Sequence, residues 1–497
     1  MTTLTRADWE QRAQQLKIEG RAFINGEYTD AASGETFECL SPVDGRFLAK
    51  VASCDLADAN RAVENARATF NSGVWSQLAP AKRKAILIRF ADLLRKNVEE
   101  LALLETLDMG KPIGDASSID IPGAANAIHW TAEAIDKVYD EVAPTPHDQL
   151  GLVTREPVGV VGAIVPWNFP LLMASWKLGP ALATGNSVVL KPSEKSPLTA
   201  IRIAQLAVQA GIPAGVLNVL PGYGHTVGKA LALHMDVDTL VFTGSTKIAK
   251  QLMVYAGESN MKRIWLEAGG KSPNIVFADA PDLEAAAQAA ASAIAFNQGE
   301  VCTAGSRLLV ERSIKDTFLP MVVEALKAWK PGNPLDPQTT VGALVDTQQM
   351  NTVLSYIEAG HKDGAKLLTG GKRTLEDTGG TYVEPTIFDG VTNAMKIAQE
   401  EIFGPVLSVI AFDTAEEAVA IANDTPYGLA AGIWTSDISK AHRTARAVRA
   451  GSVWVNQYDG GDMTAPFGGF KQSGNGRDKS LHALEKYTEL KATWIKL

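Results

Sequence analysis

The sequence has 497 residues, more than one hydrophobic core usually contains, and therefore predicts at least two domains. Hydrophobic residues make up 46% of the chain and charged residues 21%, as in ordinary soluble globular proteins. The formal net charge of −9, with no block of basic residues, argues against nucleic acid as a partner. No run reaches the roughly 18–20 apolar residues of a membrane span. Met1–Leu16 lacks the apolar core of a signal peptide, so we expect a cytoplasmic protein without a disulfide framework.

In chain order, the first elements are amphipathic helices over Asp55–Arg67 and Lys82–Asp108. From about residue 158, short β-branched runs alternate with helical stretches. The predicted strands are Val158–Val165, Asn186–Leu190, Val216–Leu220, Thr239–Thr243, Arg263–Leu266 and Asn274–Phe277. The helices between them are Leu171–Thr184, Leu198–Ala210, Val227–His234 and Lys247–Ala256. This alternation is typical of a mostly parallel sheet with helices on both faces.

A second α/β series follows the Ala-rich helix Leu283–Phe296. Its strands are Leu308–Val310, Val406–Phe412, Leu429–Trp434 and Ser452–Val455, with helices near 313–329, 415–423 and 438–449. Two such series predict two doubly wound domains with a ligand cleft between them. The final run, Ala492–Leu497, predicts an edge strand, which we expect to pair with a second subunit. The alternative is that it docks on the chain's own sheet.

Cys302 is the strongest candidate nucleophile. It lies in the glycine-flanked loop Phe296–Gly305, where a thiol is partly exposed, whereas Cys39 and Cys54 have the settings of buried structural cysteines. A single cysteine of this kind is also compatible with a purely structural role.

Glu267 and Asn168 lie at the ends of two predicted strands, where open α/β sheets bind their ligands. Glu267 follows the apolar run Ile264–Leu266, which favours a raised pKa and a role as general base. The alternative is an ion-paired surface glutamate. Asn168, held between Pro166 and Pro170, suits an amide donor to an oxyanion, or simply a turn.

Two further runs suit a dinucleotide. Lys191, Ser193 and Glu194 follow a strand, where a carboxylate binds ribose hydroxyls and disfavours a 2′-phosphate, which favours NAD over NADP. The run Phe242–Thr246 combines strand, glycine and hydroxyls before a helix, and so suits a pyrophosphate or an ordinary N-cap. Gly222–Gly228 matches the dinucleotide glycine fingerprint only poorly.

Together these runs resemble the aldehyde dehydrogenase superfamily. The Cys302 and Glu267 segments each resemble one of its two signature motifs. The other motifs, in the family's order and spacing over nearly the whole chain, are Asn168, Lys191, Glu194, Gly244–Ser245, Glu401–Pro405 and Pro466–Gly474. Two departures lie beside the cofactor: His225 stands where proline is common, and Ala249 where glycine is common.

The resemblance implies a mechanism. The Cys302 thiolate attacks the aldehyde, and the Asn168 amide and the Cys302 backbone N–H hold the oxyanion. Hydride transfer to NAD leaves a thioester, which water activated by Glu267 hydrolyses. No metal is expected. The implied cofactor residues are Ile164, Val165, Pro166, Trp167, Lys191, Ser193, Glu194, Gly224, Gly228, Phe242, Gly244, Ser245, Leu266, Glu401 and Phe403.

The resemblance also implies the fold, with a Rossmann-like cofactor domain, an α/β catalytic domain and a small oligomerisation β-sheet. We assign residues 1–143 and 161–273 to the first, 274–478 to the second, and 144–160 with 479–497 to the third. The family forms dimers or tetramers, so a homo-oligomer is expected.

The substrate is predicted from the mouth of the site, for which we select Asp120, Phe169, Trp176, Val301, Tyr458, Asp459, Asp462 and Phe467. Acids beside aromatic rings suit an aldehyde with a cationic far end. The run Gly474–Leu481 also resembles bacterial dehydrogenases of γ-glutamyl-γ-aminobutyraldehyde and 4-guanidinobutyraldehyde, from polyamine and arginine breakdown. We therefore expect an ω-amino- or ω-guanidino-aldehyde; the alternative is a broad-range aliphatic aldehyde dehydrogenase.

Two other classes of function compete. A dehydrogenase that transfers the acyl group to coenzyme A would share Cys302 but has no need of Glu267. A non-enzymatic binding protein would have no reason to keep Cys302, Glu267 and Asn168 together.

Overall fold

The computed structural model describes residues 4–497. Its strands, in chain order, are β1 Ala22–Ile24, β2 Glu27–Thr29, β3 Thr36–Leu40, β4 Phe47–Ala52, β5 Glu141–Ala143, β6 Gln149–Pro157, β7 Val160–Ile164, β8 Ser187–Lys191, β9 Leu217–Val219, β10 Thr239–Thr243, β11 Arg263–Glu267, β12 Pro273–Val276, β13 Arg307–Glu311, β14 Lys366–Thr369, β15 Arg373–Thr374, β16 Tyr382–Val383, β17 Thr386–Asp389, β18 Val406–Phe412, β19 Ala430–Trp434, β20 Ser452–Val455 and β21 Thr488–Lys496.

The α-helices are α1 Arg6–Gln15, α2 Leu56–Asn71, α3 Pro80–Lys96, α4 Val98–Met109, α5 Ile113–Asp115, α6 Ile121–Ala134, α7 Pro170–Ala183, α8 Leu198–Ala210, α9 Lys229–Leu233, α10 Thr246–Glu258, α11 Leu283–Ala295, α12 Arg312–Leu326, α13 Thr347–Lys362, α14 Lys396–Gln399, α15 Ala415–Asn423 and α16 Ile438–Ala447. The predicted helix Lys82–Asp108 is two helices, because the chain breaks at Asn97 between α3 and α4.

The first large sheet has the strand order β11-β10-β7-β8-β9-β1-β2. Its five central strands run parallel, and β1 and β2 add an antiparallel edge. Parallel strands need both faces covered, and β7 and β8 are accordingly buried along their whole length. Because these strands are parallel, the carboxyl ends of β7, β8, β10 and β11 lie at the same edge of the sheet. Asn168, Glu194 and Ser245 follow the first three of these strands, and Glu267 is the last residue of β11.

The second large sheet has the order β14-β17-β18-β13-β12-β19-β20, parallel except for β14. Helix α11 packs on it and leads directly into the Cys302 loop. The α/β fold class is confirmed. Strands β14 and β17 of the second sheet were not predicted from the sequence pattern, and neither was helix α13.

The small sheet has the order β21-β6-β5. Strand β21 pairs antiparallel with β6 from Thr488 opposite Pro157 to Lys496 opposite Gln149, so the C-terminal run docks on its own chain. Glu141–Ala143, which we assigned to the cofactor domain, also pairs with β6 in this sheet. The proposed domain limits stay predictions. Within residues 4–497, no helix combines the length and apolar character needed to cross a bilayer.

Candidate active site

The loop that carries Cys302 is held in an unusual backbone conformation. Asn297 and Gln298, just after α11, have φ angles of +47° and +57°, a region that side-chain-bearing residues rarely adopt. Contacts with a neighbouring loop hold this segment. Gln298 Oε1 accepts a hydrogen bond from the Gly342 N–H at 2.8 Å, and Glu300 Oε1 accepts one from the Val345 N–H at 3.0 Å. These side chains position Cys302, a role that the sequence analysis did not assign to them.

Asn168 is buried beside this loop. Its Nδ2 donates to the Glu300 carbonyl oxygen at 2.8 Å, and Asn297 Nδ2 donates to the Asn168 carbonyl oxygen at 3.1 Å. Within residues 4–497 no group accepts a hydrogen bond from the Cys302 backbone N–H. The second N–H of the Asn168 amide and the Cys302 N–H are thus both free to donate. Their role as an oxyanion hole stays a prediction.

The Cys302 thiol is partly exposed and lines a cavity of about 270 Å³. Burial among protein groups, together with the negative charges of Glu401, Glu267 and Asp459, raises its pKa to about 12. Cys39 and Cys54, by contrast, are buried, as predicted. A thiol with so high a pKa must lose its proton before it can act as a nucleophile.

Glu267 ends β11 and is only 5% exposed. Among the residues that the structure describes, neither of its carboxylate oxygens has a hydrogen-bond partner. Burial, and secondarily the charge of Asp478, raise its pKa to about 8 against the opposing charges of Lys177 and Lys486. Gly468 packs closely against this carboxylate, since a Cβ added to Gly468 would lie 2.7 Å from Glu267 Oε1. An unengaged carboxylate with this pKa can take up a proton near neutral pH.

A buried charge cluster lies next to Glu267. Asp478 forms ion pairs with both Lys177 and Lys486, and all three side chains are at most 3% exposed. Their charges bear directly on the pKa of Glu267. The sequence analysis missed this cluster, although a lysine inside the otherwise apolar helix α7 was a visible signal.

Most of the predicted cofactor residues near Cys302 share its cavity: it is lined by Pro166, Trp167, Gly244, Ser245, Glu401 and Phe403. Two observations fit a bound dinucleotide. Thr243 Oγ1, on the cavity wall, is buried without a partner in the described part of the chain. Glu401 Oε1 accepts from the Gly270 N–H at 3.1 Å, an approach possible only because Gly269 has no side chain to collide with that carboxylate.

A second group of predicted cofactor residues lies farther along the sheet edge. Buried Lys191 donates to Glu194 Oε2 at 3.1 Å, and the Glu194 side chain is 34% exposed. Gly228 lies against the Lys191 side chain, and Ser193 Oγ accepts from the Lys195 N–H at 3.2 Å. The remaining predicted residues are buried in or near the sheet, except for Gly224 at the surface: Ile164, Val165, Phe242 and Leu266.

Val301, Tyr458 and Asp459 line a second cavity, of about 180 Å³. The Tyr458 hydroxyl donates to the Thr303 carbonyl oxygen at 2.7 Å, which ties this wall to the Cys302 loop. Phe296 also lines this cavity. The ring centroids of Phe169 and Phe296 are 6.3 Å apart and those of Trp176 and Phe467 are 5.2 Å apart, and we call these four residues the aromatic wall. Asp462 is exposed and accepts from the Thr464 N–H at 2.7 Å.

Asp120 is completely buried. Its side chain forms an ion pair with Lys111, whose ammonium lies 4.1 Å from the centroid of the Phe169 ring. The partner of Asp120 is therefore in contact with another of the predicted substrate residues. A contact between Asp120 and the substrate stays a prediction.

Known proteins resemble this chain closely. Residues 28–493 match the model of the aldehyde dehydrogenase family. An NADP/NAD-dependent aldehyde dehydrogenase of Escherichia coli, PuuC, is 58% identical over 99% of this chain and 98% of that protein. A crystal structure of indole-3-acetaldehyde dehydrogenase with NAD+ shares 85% identity and a TM-score of 0.99, with full coverage of both chains. The γ-glutamyl-γ-aminobutyraldehyde dehydrogenase of Burkholderia cenocepacia shares 65% identity and a TM-score of 0.98, over 99% of this chain and 100% of that one. The chain belongs to the aldehyde dehydrogenase family.

Proposed function

We propose that this enzyme oxidises an aldehyde to its carboxylic acid with NAD, through a thioester on Cys302. One observation carries the proposal: the partly exposed Cys302 lines a cavity together with Ala268, the residue after Glu267, and the buried Glu267 carboxylate has no hydrogen-bond partner and raises the pKa of the Cys302 thiol. This pairing supplies the nucleophile and the base that the reaction needs. It also argues against transfer to coenzyme A, which needs no base to activate water.

Each step uses a side chain described above. The Cys302 thiol gives up its proton to a water, and the thiolate Sγ attacks the aldehyde carbon. The resulting oxyanion accepts hydrogen bonds from Asn168 Nδ2 and the Cys302 N–H. Glu267 then takes a proton from the water that attacks the thioester, which releases the acid and restores the thiol. NAD, when bound, accepts the hydride that leaves the aldehyde carbon. Trp167 and Phe403, with ring centroids 5.1 Å apart, form an aromatic edge of the cavity that would bind it.

Glu194 supports a preference for NAD. Its partly exposed carboxylate lies beside Lys191, where it can accept bonds from ribose hydroxyls and repel a 2′-phosphate. We expect Glu194→Gln to raise the ratio of kcat/KM with NADP to kcat/KM with NAD by about tenfold, through loss of one like-charge repulsion. Steady-state kinetics with both cofactors measures the ratio. The exposed surface variant Glu324→Gln is the control; an equal change in both variants would reject the assignment.

The substrate we favour is an aldehyde with a polar, nitrogen-bearing far end, such as 4-guanidinobutyraldehyde, 4-aminobutyraldehyde or γ-glutamyl-γ-aminobutyraldehyde, from polyamine and arginine catabolism. Asp459 lines the second cavity, together with Val301 and Tyr458. The B. cenocepacia relative is named for such a substrate. A second candidate is a broad-range enzyme. The aromatic wall of Phe169, Trp176, Phe296 and Phe467 suits apolar aldehydes, and another relative is named for indole-3-acetaldehyde.

An aldehyde panel distinguishes the two. We expect kcat/KM for γ-glutamyl-γ-aminobutyraldehyde and 4-guanidinobutyraldehyde to exceed that for hexanal by at least about tenfold, because the acids of the mouth stabilise an ammonium or guanidinium. Initial rates of NADH formation give these values. Comparable kcat/KM for hexanal or indole-3-acetaldehyde would favour the broad-range enzyme instead.

We also propose a homo-oligomer. Strand β21 is the outer strand of the small sheet, and it exposes Leu490, Trp494, Ile495 and Leu497. An edge strand with exposed apolar side chains is suited to cover by a second subunit.

A further inference from the structure

Lys479 lies at the aromatic wall of the substrate mouth. Its ammonium is 5.0 Å from the centroid of the Trp176 ring and 5.9 Å from that of the Phe467 ring. The wall is close to the catalytic carboxylate, since Phe467 precedes the Gly468 that packs against Glu267. Lys177, next to Trp176 on α7, belongs to the charge cluster beside Glu267. Lys479 thus contacts two of the residues that we predict to bind the substrate and follows directly after Asp478 of the charge cluster beside Glu267.

The backbone fixes the position of this lysine. Lys479 and Ser480 have φ angles of +59° and +50°. Asp478, immediately before them, is anchored by its two buried lysine partners, and Phe467 and Asp478 exchange backbone hydrogen bonds at 2.8 and 2.7 Å. A segment held on both sides in this way presents the Lys479 side chain in a defined place.

Lys479 also faces the acids that we assigned to the mouth. The Ser480 N–H donates to the Met463 carbonyl oxygen at 2.7 Å, which brings the Asp459–Met463 loop against the lysine. Burial lowers the pKa of Lys479, whereas the charges of Asp459, Asp462 and Asp478 act to raise it. Burial raises the pKa of Asp459, and the charge of Lys479 opposes that shift. In the described part of the chain, however, no carboxylate oxygen lies within 4.0 Å of its ammonium. The lysine is therefore near the acids and remains free to bind an anion.

The mouth consequently carries both signs of charge. A purely cationic far end would be attracted by Asp459 but repelled by Lys479, and a neutral one would use the aromatic rings alone. A far end with an ammonium and a carboxylate on the same carbon matches both charges. We propose that Lys479 is a specificity-determining residue that binds the carboxylate of an aldehyde with an amino-acid far end, while Asp459 binds its ammonium group. This inference rests on the proposed function.

The test compares Lys479→Gln and Lys479→Arg with the wild-type enzyme on three aldehydes: γ-glutamyl-γ-aminobutyraldehyde, 4-guanidinobutyraldehyde and hexanal. For Lys479→Gln we expect kcat/KM to fall about tenfold on the first, mainly through KM, and to change less than about twofold on hexanal. On the guanidino-aldehyde it should stay equal or rise, because a repulsion is removed. Lys479→Arg should keep most of the wild-type value on the first substrate, since the positive charge is retained.

The variant Lys327→Gln, at an exposed position immediately after α12, is the matched control for loss of one positive charge. An equal loss on all three aldehydes would show that Lys479 only supports the aromatic wall, and an unchanged kcat/KM on the γ-glutamyl substrate would also overturn the inference. The wild-type values separate this failure from that of the proposed function. If the wild-type enzyme prefers polar aldehydes to hexanal and Lys479→Gln leaves that preference intact, only the inference on Lys479 fails.

Discussion

Cys302→Ala is expected to lose aldehyde oxidation by at least about a thousandfold, because no covalent intermediate can form without the thiol. The measurement is NADH formation under saturating aldehyde and NAD. Cys54→Ala is the matched control, since Cys54 is buried away from the site in the cluster that contains Ala59 and Val63. That variant should keep wild-type kcat, although it loses packing. Residual activity above about a tenth in Cys302→Ala would contradict the nucleophile assignment.

The pKa of Cys302 adds a second readout to the same prediction. Burial and the nearby acids Glu401, Glu267 and Asp459 hold the thiol protonated at neutral pH in the enzyme without NAD. Alkylation by iodoacetamide should therefore be slow at pH 7 and accelerate steadily as the pH rises, because only the thiolate reacts. Mass spectrometry should place the label on Cys302. Labelling that is fast at pH 7 and independent of pH would contradict this account of the site.

The sequence pattern located elements best where periodicity and burial agree. The β-branched run Thr239–Thr243 was predicted with the bounds that β10 has, because a parallel strand buried on both faces leaves a continuous apolar run. Helix α8, Leu198–Ala210, was predicted with equal accuracy, since its apolar spacing ends at a glycine. The break at Asn97 was missed because the apolar spacing continues through it.

The catalytic candidates could be predicted because each stands in a conspicuous local setting, at a strand end or in a glycine-flanked loop. Residues that act through distant partners could not. Lys177 and Asp478 are 301 positions apart, and although a lysine inside an apolar helix suggests a buried partner, the sequence does not show which residue that partner is. Lys479 was overlooked for the same reason, and the mouth was therefore predicted to be purely acidic. The buried ion pair of Asp120 with Lys111 was likewise not predicted, although only nine positions separate the two residues.

Glu267→Gln is expected to separate the two half-reactions. A glutamine keeps the size of the side chain, so the contact with Gly468 is preserved while the base is lost. We expect a rapid burst of about one NADH per active site followed by turnover at least about a hundredfold slower than wild type, because hydrolysis of the thioester becomes limiting. Stopped-flow absorbance resolves the two phases. Loss of the burst would mean that Glu267 is needed for acylation, and so would contradict the division of roles.

The pH dependence follows from the raised pKa of Glu267, about 8, which is caused chiefly by burial and secondarily by Asp478. Below that pH most of the carboxyl is protonated and cannot accept a proton from water; above it the carboxylate is ionised and active. The steady-state rate of the wild-type enzyme should therefore rise with pH and level off above about 8, under conditions where deacylation limits turnover. Glu267→Gln should lack this rise, because its amide does not titrate. A rise retained in that variant would assign the titration to another group of the site, of which Glu401, with a pKa raised by burial to about 7, is the first to test.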